Sequence, residues 1–227
     1  MTDPRRLQGR RKLDLDDYRL MGLPRELHGA RLLDVPPAIA EGVQGYLMQI
    51  CELVNDGRGF LLSGPIESGK SLTAAVVAKE AMRRGFSVYW TRVSDLRRDI
   101  KNRRVLPIND GTLPLERSYE VGLLVLDDLR AEDARDFNLS VRDIEDIVTG
   151  RGQRGLASIV TTRLDAEKLK RTFPDFVAST RRYLRCLMLG GDHVVAEAPV
   201  AEAVEPLVLE RTTRGLTYVD PDSLDDD

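Results

Sequence analysis

The chain is short of the residues that carry much catalytic and metal chemistry. Its 227 residues include two cysteines, Cys51 and Cys186, and two histidines, His28 and His193. The cysteines stand apart in apolar surroundings, with no Cys-x-x-Cys pair and no Cys/His cluster, which argues against structural zinc and against a disulfide framework. Both read as core residues of a protein kept in a reducing cytoplasm. So few histidines leave little room for imidazole catalysis or ligation. No apolar run reaches the about 18 residues that a membrane span needs. The N-terminus has no apolar stretch behind Arg5 and Arg6, so no secretory signal is expected.

Charge is plentiful but unevenly placed. Residues 1–20 carry six Arg/Lys against four Asp, residues 21–190 carry 26 basic against 23 acidic, and residues 191–227 carry two basic against ten acidic. A mildly basic body with an acidic tail makes the net charge of −3 a poor guide to partners. Residues 1–20 read as a solvated charged arm with a short helix from Asp14, or as a docking arm for a protein or a phosphate backbone.

The strongest pattern is Gly64-Pro65-Ile66-Glu67-Ser68-Gly69-Lys70-Ser71, a G-x-x-x-x-G-K-S phosphate loop continuing into Leu72. Backbone N–H groups of such a loop must face a triphosphate, and Gly64 and Gly69 allow the backbone angles required. The helix that follows adds the positive end of its dipole. Lys70 reaches the terminal phosphates, and the Ser71 hydroxyl can ligate Mg²⁺. The context agrees: residues 59–63 read as a buried strand, and residues 72–84 as a helix stopped by Gly85.

The second landmark is the run Leu123 to Leu126 ending in Asp127-Asp128. A buried strand ending in acid delivers a carboxylate to the edge where open α/β sheets bind ligands. Asp127 would hold Mg²⁺, and Asp128 would orient the attacking water. Further strands are expected at 86–91, 155–162 and 186–190. Helices are expected at 37–54, 94–104 (capped by Ser94), 136–150, 165–171 and 176–185, with a loop at 107–114. Strand–helix alternation means a parallel sheet with helices on both faces. In the tail, residues 207–210 and 216–219 suggest a hairpin, and residues 222–227 suggest disorder.

One helix is conspicuously basic. Arg92, Arg97, Arg98, Lys101, Arg103 and Arg104 could neutralise several phosphates of a nucleic acid, without aromatics for base stacking. Equally, Asp95 and Asp99 could balance them on a solvated face.

Together these pieces resemble the AAA+ helicase loaders of the DnaC type and the related IstB transposition ATPases. Gly22-Leu23-Pro24-Arg25 is similar to the family's G-I-P-x-R/K segment, residues 64–71 to its phosphate loop, and residues 86–96 to its strand followed by small-x-D-L. Residues 123–129 are similar to L-L-V-L-D-D-L, and residues 159–164 to the sensor strand I-V-T-S/T-N-L. The resemblance implies a three-layer α/β P-loop NTPase of the additional-strand type, with a five-stranded parallel sheet, a reduced C-terminal lid and an acidic tail. It implies an arm at 1–20, an ATPase domain at 21–192 and a tail at 193–227. It further implies an Mg²⁺-dependent ATPase acting as a homo-oligomer, with single-stranded DNA and a replicative ring helicase as partners. Lys70 and Ser71 would be phosphate and Mg²⁺ ligands, Asp127 the second Mg²⁺ anchor and Asp128 the water-positioning acid. Arg181, or Arg182, would reach a neighbour's γ-phosphate. The chain departs from the family at Arg163, where a sensor Asn is expected. Arg163 could contact phosphate itself, or Thr162 could take the sensing role. Glu67 puts a carboxylate in an anion-binding loop, which is tolerable if it turns outward. Both departures point to slow hydrolysis or a switch driven by binding. With about twenty residues ahead of the resembling segment, the client would be gripped by the arm, the tail or the ATPase body.

Overall fold

The computed structural model describes residues 11–101, 113–131, 141–189, 209–212 and 215–218. Five strands form one parallel sheet: β1 (Gly59–Ser63), β2 (Val88–Arg92), β3 (Leu123–Leu129), β4 (Ala157–Thr162) and β5 (Leu184–Met188), in the order β2-β3-β4-β1-β5. Strand β4 is thus inserted between β1, which leads into the phosphate loop, and the acidic strand β3, as the additional-strand expectation requires. Period-two alternation explains why both faces are covered. Phe60, Leu62, Val88, Trp90, Leu123 and Val125 pack on one side with α1 (Leu15–Met21), α2 (Pro37–Met48), α3 (Ile50–Asn55) and α4 (Lys70–Arg83). Leu61, Tyr89, Leu124, Leu126 and Val160 pack on the other. There they meet α5 (Val93–Lys101), α7 (Val141–Gln153), α8 (Ala166–Thr172) and α9 (Pro174–Thr180), with α6 (Pro114–Glu120) leading into β3. This is the three-layer α/β fold. Among the described residues β5 is followed by a hairpin, β6 (Leu209–Thr212) paired antiparallel with β7 (Gly215–Tyr218), and by no helical lid.

Several local expectations shift. The helix expected over 37–54 is two, because Gln49 at φ −107° and ψ 16° leaves helical geometry between α2 and α3. Helix α5 starts at Val93 directly after β2, so Ser94 lies inside it rather than capping it. Leu184 and Arg185, expected to be helical, are the first residues of β5. They pair with Gly59 and Phe60, a long-range contact that outweighs local propensity. Helix α6, stiffened by Pro114 in its first turn, occupies a stretch left unassigned from the sequence. Residues 102–104, 136–140, 190–208 and 219–227 of the expected elements lie outside the described residues.

The expected solvated arm is, from residue 11 onward, part of the body. Asp14 caps α1 and forms a capping box with Asp17, and Gly22 ends the helix at φ 77°. Leu13 and Met21 are buried. Asp17 accepts two hydrogen bonds from Arg11, at 2.8 and 2.6 Å. The Arg11 guanidinium holds the Asp17 carboxyl below its usual pKa range, against the opposing effect of burial.

At the amino edge of the sheet Arg151 is fully buried. It donates to Ser158 Oγ at 3.0 Å and to the carbonyls of Ser118 (2.9 Å), Val121 (2.8 Å) and Ala157 (2.6 Å). These acceptors belong to α6, the β3 approach and β4, so one side chain ties three segments to α7. Burial, with the nearby Arg154 charge, pulls its pKa down to about 9, which leaves it charged at neutral pH.

Candidate functional site

Parallel strands all end at one edge, and the first site element is the turn leaving β1 there. Gly64 has φ 151° and Gly69 φ 90°, conformations that L side chains rarely adopt. A Cβ on Gly64 would lie 2.2 Å from the Leu189 carbonyl oxygen, and one on Gly69 would lie 2.6 Å from Pro36 Cγ. The loop is therefore wedged between the end of β5 and the Pro36 ring. Pro65, Ile66 and Glu67 are exposed, and Ser68 and Gly69 half-buried. Glu67 adopts φ 63°, a left-handed conformation costing a non-glycine residue about 1 kcal/mol, and its exposure matches the outward turn expected of it.

Lys70, the first residue of α4, is buried and donates to Gly64 O at 2.8 Å, to Pro65 O and to Ser68 Oγ at 3.2 Å. Burial lowers its pKa first and the Arg163 charge lowers it further, while Asp127 and Asp128 act in the other direction. Leu72 follows on the same helix, half-buried against the core. Behind α4, Lys79 donates to the carbonyls of Ala30 (2.8 Å) and His28, fixing the segment that ends at Pro36.

Ser71 Oγ donates to Asp127 Oδ1 at 2.8 Å, so the expected metal ligands from α4 and β3 meet directly. Thr161 Oγ1 also donates to Asp127 Oδ1, at 2.7 Å, and accepts from the Asp128 N–H at 2.8 Å. A hydroxyl beside a carboxylate suits the hard-oxygen chemistry of Mg²⁺. Thr161 was not anticipated. Its signal is its place beside Asp127, on the strand neighbouring β3 and one residue past the Leu126–Val160 pair.

The β3–β4 register shifts at this point: Leu126 pairs with Val160 and Leu129 with Thr162, so two residues of β3 face one of β4. Asp128 occupies this bulge at φ 63°. The bend separates the partners of the two acids. Asp128 Oδ1 accepts from Arg163 Nε at 2.8 Å, and Oδ2 accepts from Arg163 Nη2 at 3.0 Å and from Arg130 Nε at 2.8 Å. Burial alone would raise the Asp128 pKa, but the hydrogen bonds from Arg130 and Arg163 outweigh it and hold the carboxyl below its usual range.

Arg163 therefore does sit beside the phosphate loop and the acids. Thr162 does not take the sensing position: its hydroxyl donates to Leu129 O at 2.8 Å and accepts from Leu164 N at 3.2 Å, with the residue fully buried. Arg181 and Arg182 are exposed just after α9, ahead of β5 and hence at the amino edge. They are a strand's length from their own phosphate loop, and could serve a γ-phosphate only in another protomer. Arg92 is exposed at the carboxyl end of β2, paired in register with Asp127. Arg98 is exposed and paired with Asp95 at 3.1 Å, and Arg97 is half-buried. Arg103, Arg104 and the Lys101 side chain lie outside the described residues.

Comparison with known proteins agrees with this geometry. A crystal structure of DnaI is 21% identical, with a TM-score of 0.59 over 75% of this chain and 96% of its own. The DnaC helicase loader is 19% identical, with a TM-score of 0.57 over 74% of this chain and 100% of its own. AMPPCP-bound DnaA from Aquifex aeolicus is 17% identical, with a TM-score of 0.57 over 73% of this chain and 51% of its own. At these identities the likeness establishes the fold, a three-layer α/β fold shared with these proteins. No curated protein matches significantly in sequence. The profile of the IstB-like ATP binding proteins matches residues 44–186, which runs from α2 through the phosphate loop and both acids into β5. The chain belongs to the family of IstB-like ATP binding proteins.

Proposed function

We propose that this protein is an Mg²⁺-dependent ATPase that loads or remodels a replicative ring helicase on single-stranded DNA, with ATP as the switch. The observation that carries the reading is the meeting of Lys70, Ser71, Asp127 and Thr161 at the carboxyl edge of the sheet. The loop N–H groups and the start of α4 receive the phosphates, and Lys70 exchanges its loop carbonyls for phosphate oxygens. Ser71 and Asp127 hold the cation, with Thr161 orienting the Asp127 carboxylate. Mg²⁺ held by Ser71 and Asp127 would supply positive charge to offset that of the phosphates. Asp128 orients water for addition to the γ-phosphorus; the bond to the bridging oxygen breaks, giving ADP and phosphate.

Supporting the helicase side of the reading, the similar structures include a DnaC helicase loader and a DnaA initiator bound to single-stranded DNA. The exposed Arg181, or its neighbour Arg182, completes a second protomer's site, which makes the working form a homo-oligomer. Arg92, Arg97 and Arg98, at the end of β2 and on α5, contribute to a DNA-facing strip of the ATPase body. Among the described residues no helix is long and apolar enough to cross a membrane. A second reading, a nucleotide-gated transposition ATPase on duplex DNA, is favoured by the family match.

ATP turnover with and without single-stranded or duplex DNA, together with mass by light scattering, separates the readings. Stimulation by single strands in an oligomer supports the loader. A nucleotide-dependent filament on duplex DNA supports the second reading. Turnover that needs a small-molecule acceptor overturns both.

A further inference from the structure

Asp128 is the group expected to orient water, yet both of its oxygens are already occupied by guanidinium groups. Arg163 grips it in a two-point fork, and Arg130, two residues along the chain, grips Oδ2. The bulge and the Thr161 hydroxyl fix the Asp128 backbone, so the carboxylate cannot turn away without breaking these contacts.

We propose that Arg130 and Arg163 form a brake on hydrolysis: they hold Asp128 off the attacking water until the γ-phosphate of ATP draws Arg163 away. The proposal rests on the phosphate-loop reading and deepens it by naming how the site is regulated. Whereas Arg130 holds Asp128 from two residues along the same segment, Arg163 reaches it from just beyond the end of β4 and is the mobile arm. Its charge is felt at Lys70, which places it within reach of the same anion. A triphosphate carries more charge than one carboxylate and offers the same bidentate oxygen geometry, so exchange of partners is favourable. ADP lacks the γ-phosphate and leaves the clamp closed. Arg130 is a positioning residue, acting on substrate only through Asp128. It keeps the carboxylate partly held after Arg163 departs, which sets a slow basal rate.

The test uses the whole chain in Mg²⁺ buffer, with ATP, ADP and the non-hydrolysable analogue AMPPCP as probes. Arg130→Gln raises kcat about two- to fivefold, the factor a half-exposed ion pair is worth, with the affinity for AMPPCP unchanged. Arg130→Lys restores most of the restraint, which a merely structural role would not require. Arg163→Gln weakens AMPPCP binding about fivefold while leaving ADP affinity unchanged, because the γ-phosphate alone loses its partner. A kcat for Arg130→Gln equal to or below wild type, undetectable turnover in both included, overturns the brake. So does an Arg163→Gln variant whose ADP and AMPPCP affinities fall together or not at all. Wild-type protein that binds no nucleotide overturns the phosphate-loop reading itself, and is distinguished by that binding measurement alone.

Discussion

Arg151→Met isolates the part of the fold that holds the sheet without touching the site. The guanidinium is fully buried and donates four hydrogen bonds, three of them to backbone carbonyls of α6, the β3 approach and β4. Methionine fills the stem volume but leaves those carbonyls and the Ser158 hydroxyl without this donor. Each buried acceptor left short costs about 1 kcal/mol or more. The removed cation, however, paid a desolvation cost of its own, visible in its lowered pKa. The balance is a loss of about 3 kcal/mol, read as a lower urea midpoint at unchanged slope. Ser158→Ala, which deletes one acceptor and keeps the cation, costs about 1 kcal/mol. Because Arg151 lies at the amino edge, ATP affinity measured in native buffer should be retained. A loss for Arg151→Met below about 1 kcal/mol would refute the reasoning, since it would mean that the carbonyls find equal partners elsewhere.

Three further outcomes are expected. Glu67→Gly removes a left-handed side chain but adds unfolded-state freedom, so stability changes by less than about 1 kcal/mol while calorimetry shows ATP binding tightened about two- to fivefold. Thr161→Val, which unlinks Asp127 from Asp128, lowers kcat about tenfold, whereas Thr162→Val lowers the thermal midpoint and spares kcat, since its hydroxyl serves Leu129 and Leu164. Asp17 has a lowered pKa, so its support of α1 is complete above the unfolded carboxylate value and is lost as pH falls through the folded one. Asp17→Asn should therefore destabilise at neutral pH and lose its effect in acid, as acid titration of the unfolding midpoint would show.

The parts of the molecule legible in the sequence are those whose geometry is local. Strand β1 and the phosphate loop were readable because Gly64 and Gly69 encode backbone angles, and the run into Asp127 because a buried strand ending in acid is itself a pattern. Boundaries set by distant pairing were not readable: Leu184 and Arg185 became strand through Gly59 and Phe60. That Thr161 meets Asp127 while Thr162 turns to Leu129 depends on the β3–β4 register and its bulge, which no spacing within β4 announces. The short helix expected from Asp14 is present as α1, but its packing was not readable for a similar reason. Its charges suggested solvent, but Leu13 and Met21 are buried in the core and Asp17 is satisfied by Arg11. The capture of Asp128 by Arg130 and Arg163 needed the folded edge to be seen at all.

The central claim is that the loop after β1 binds a nucleoside triphosphate through Lys70. Equilibrium calorimetry of Mg²⁺–AMPPCP with wild type and Lys70→Ala tests it most directly, with unfolding curves showing that both variants fold. The account predicts one site per chain in wild type and at least about a hundredfold weaker binding in Lys70→Ala, the loss of a buried charge-assisted contact. Equal binding by a folded Lys70→Ala variant would contradict it.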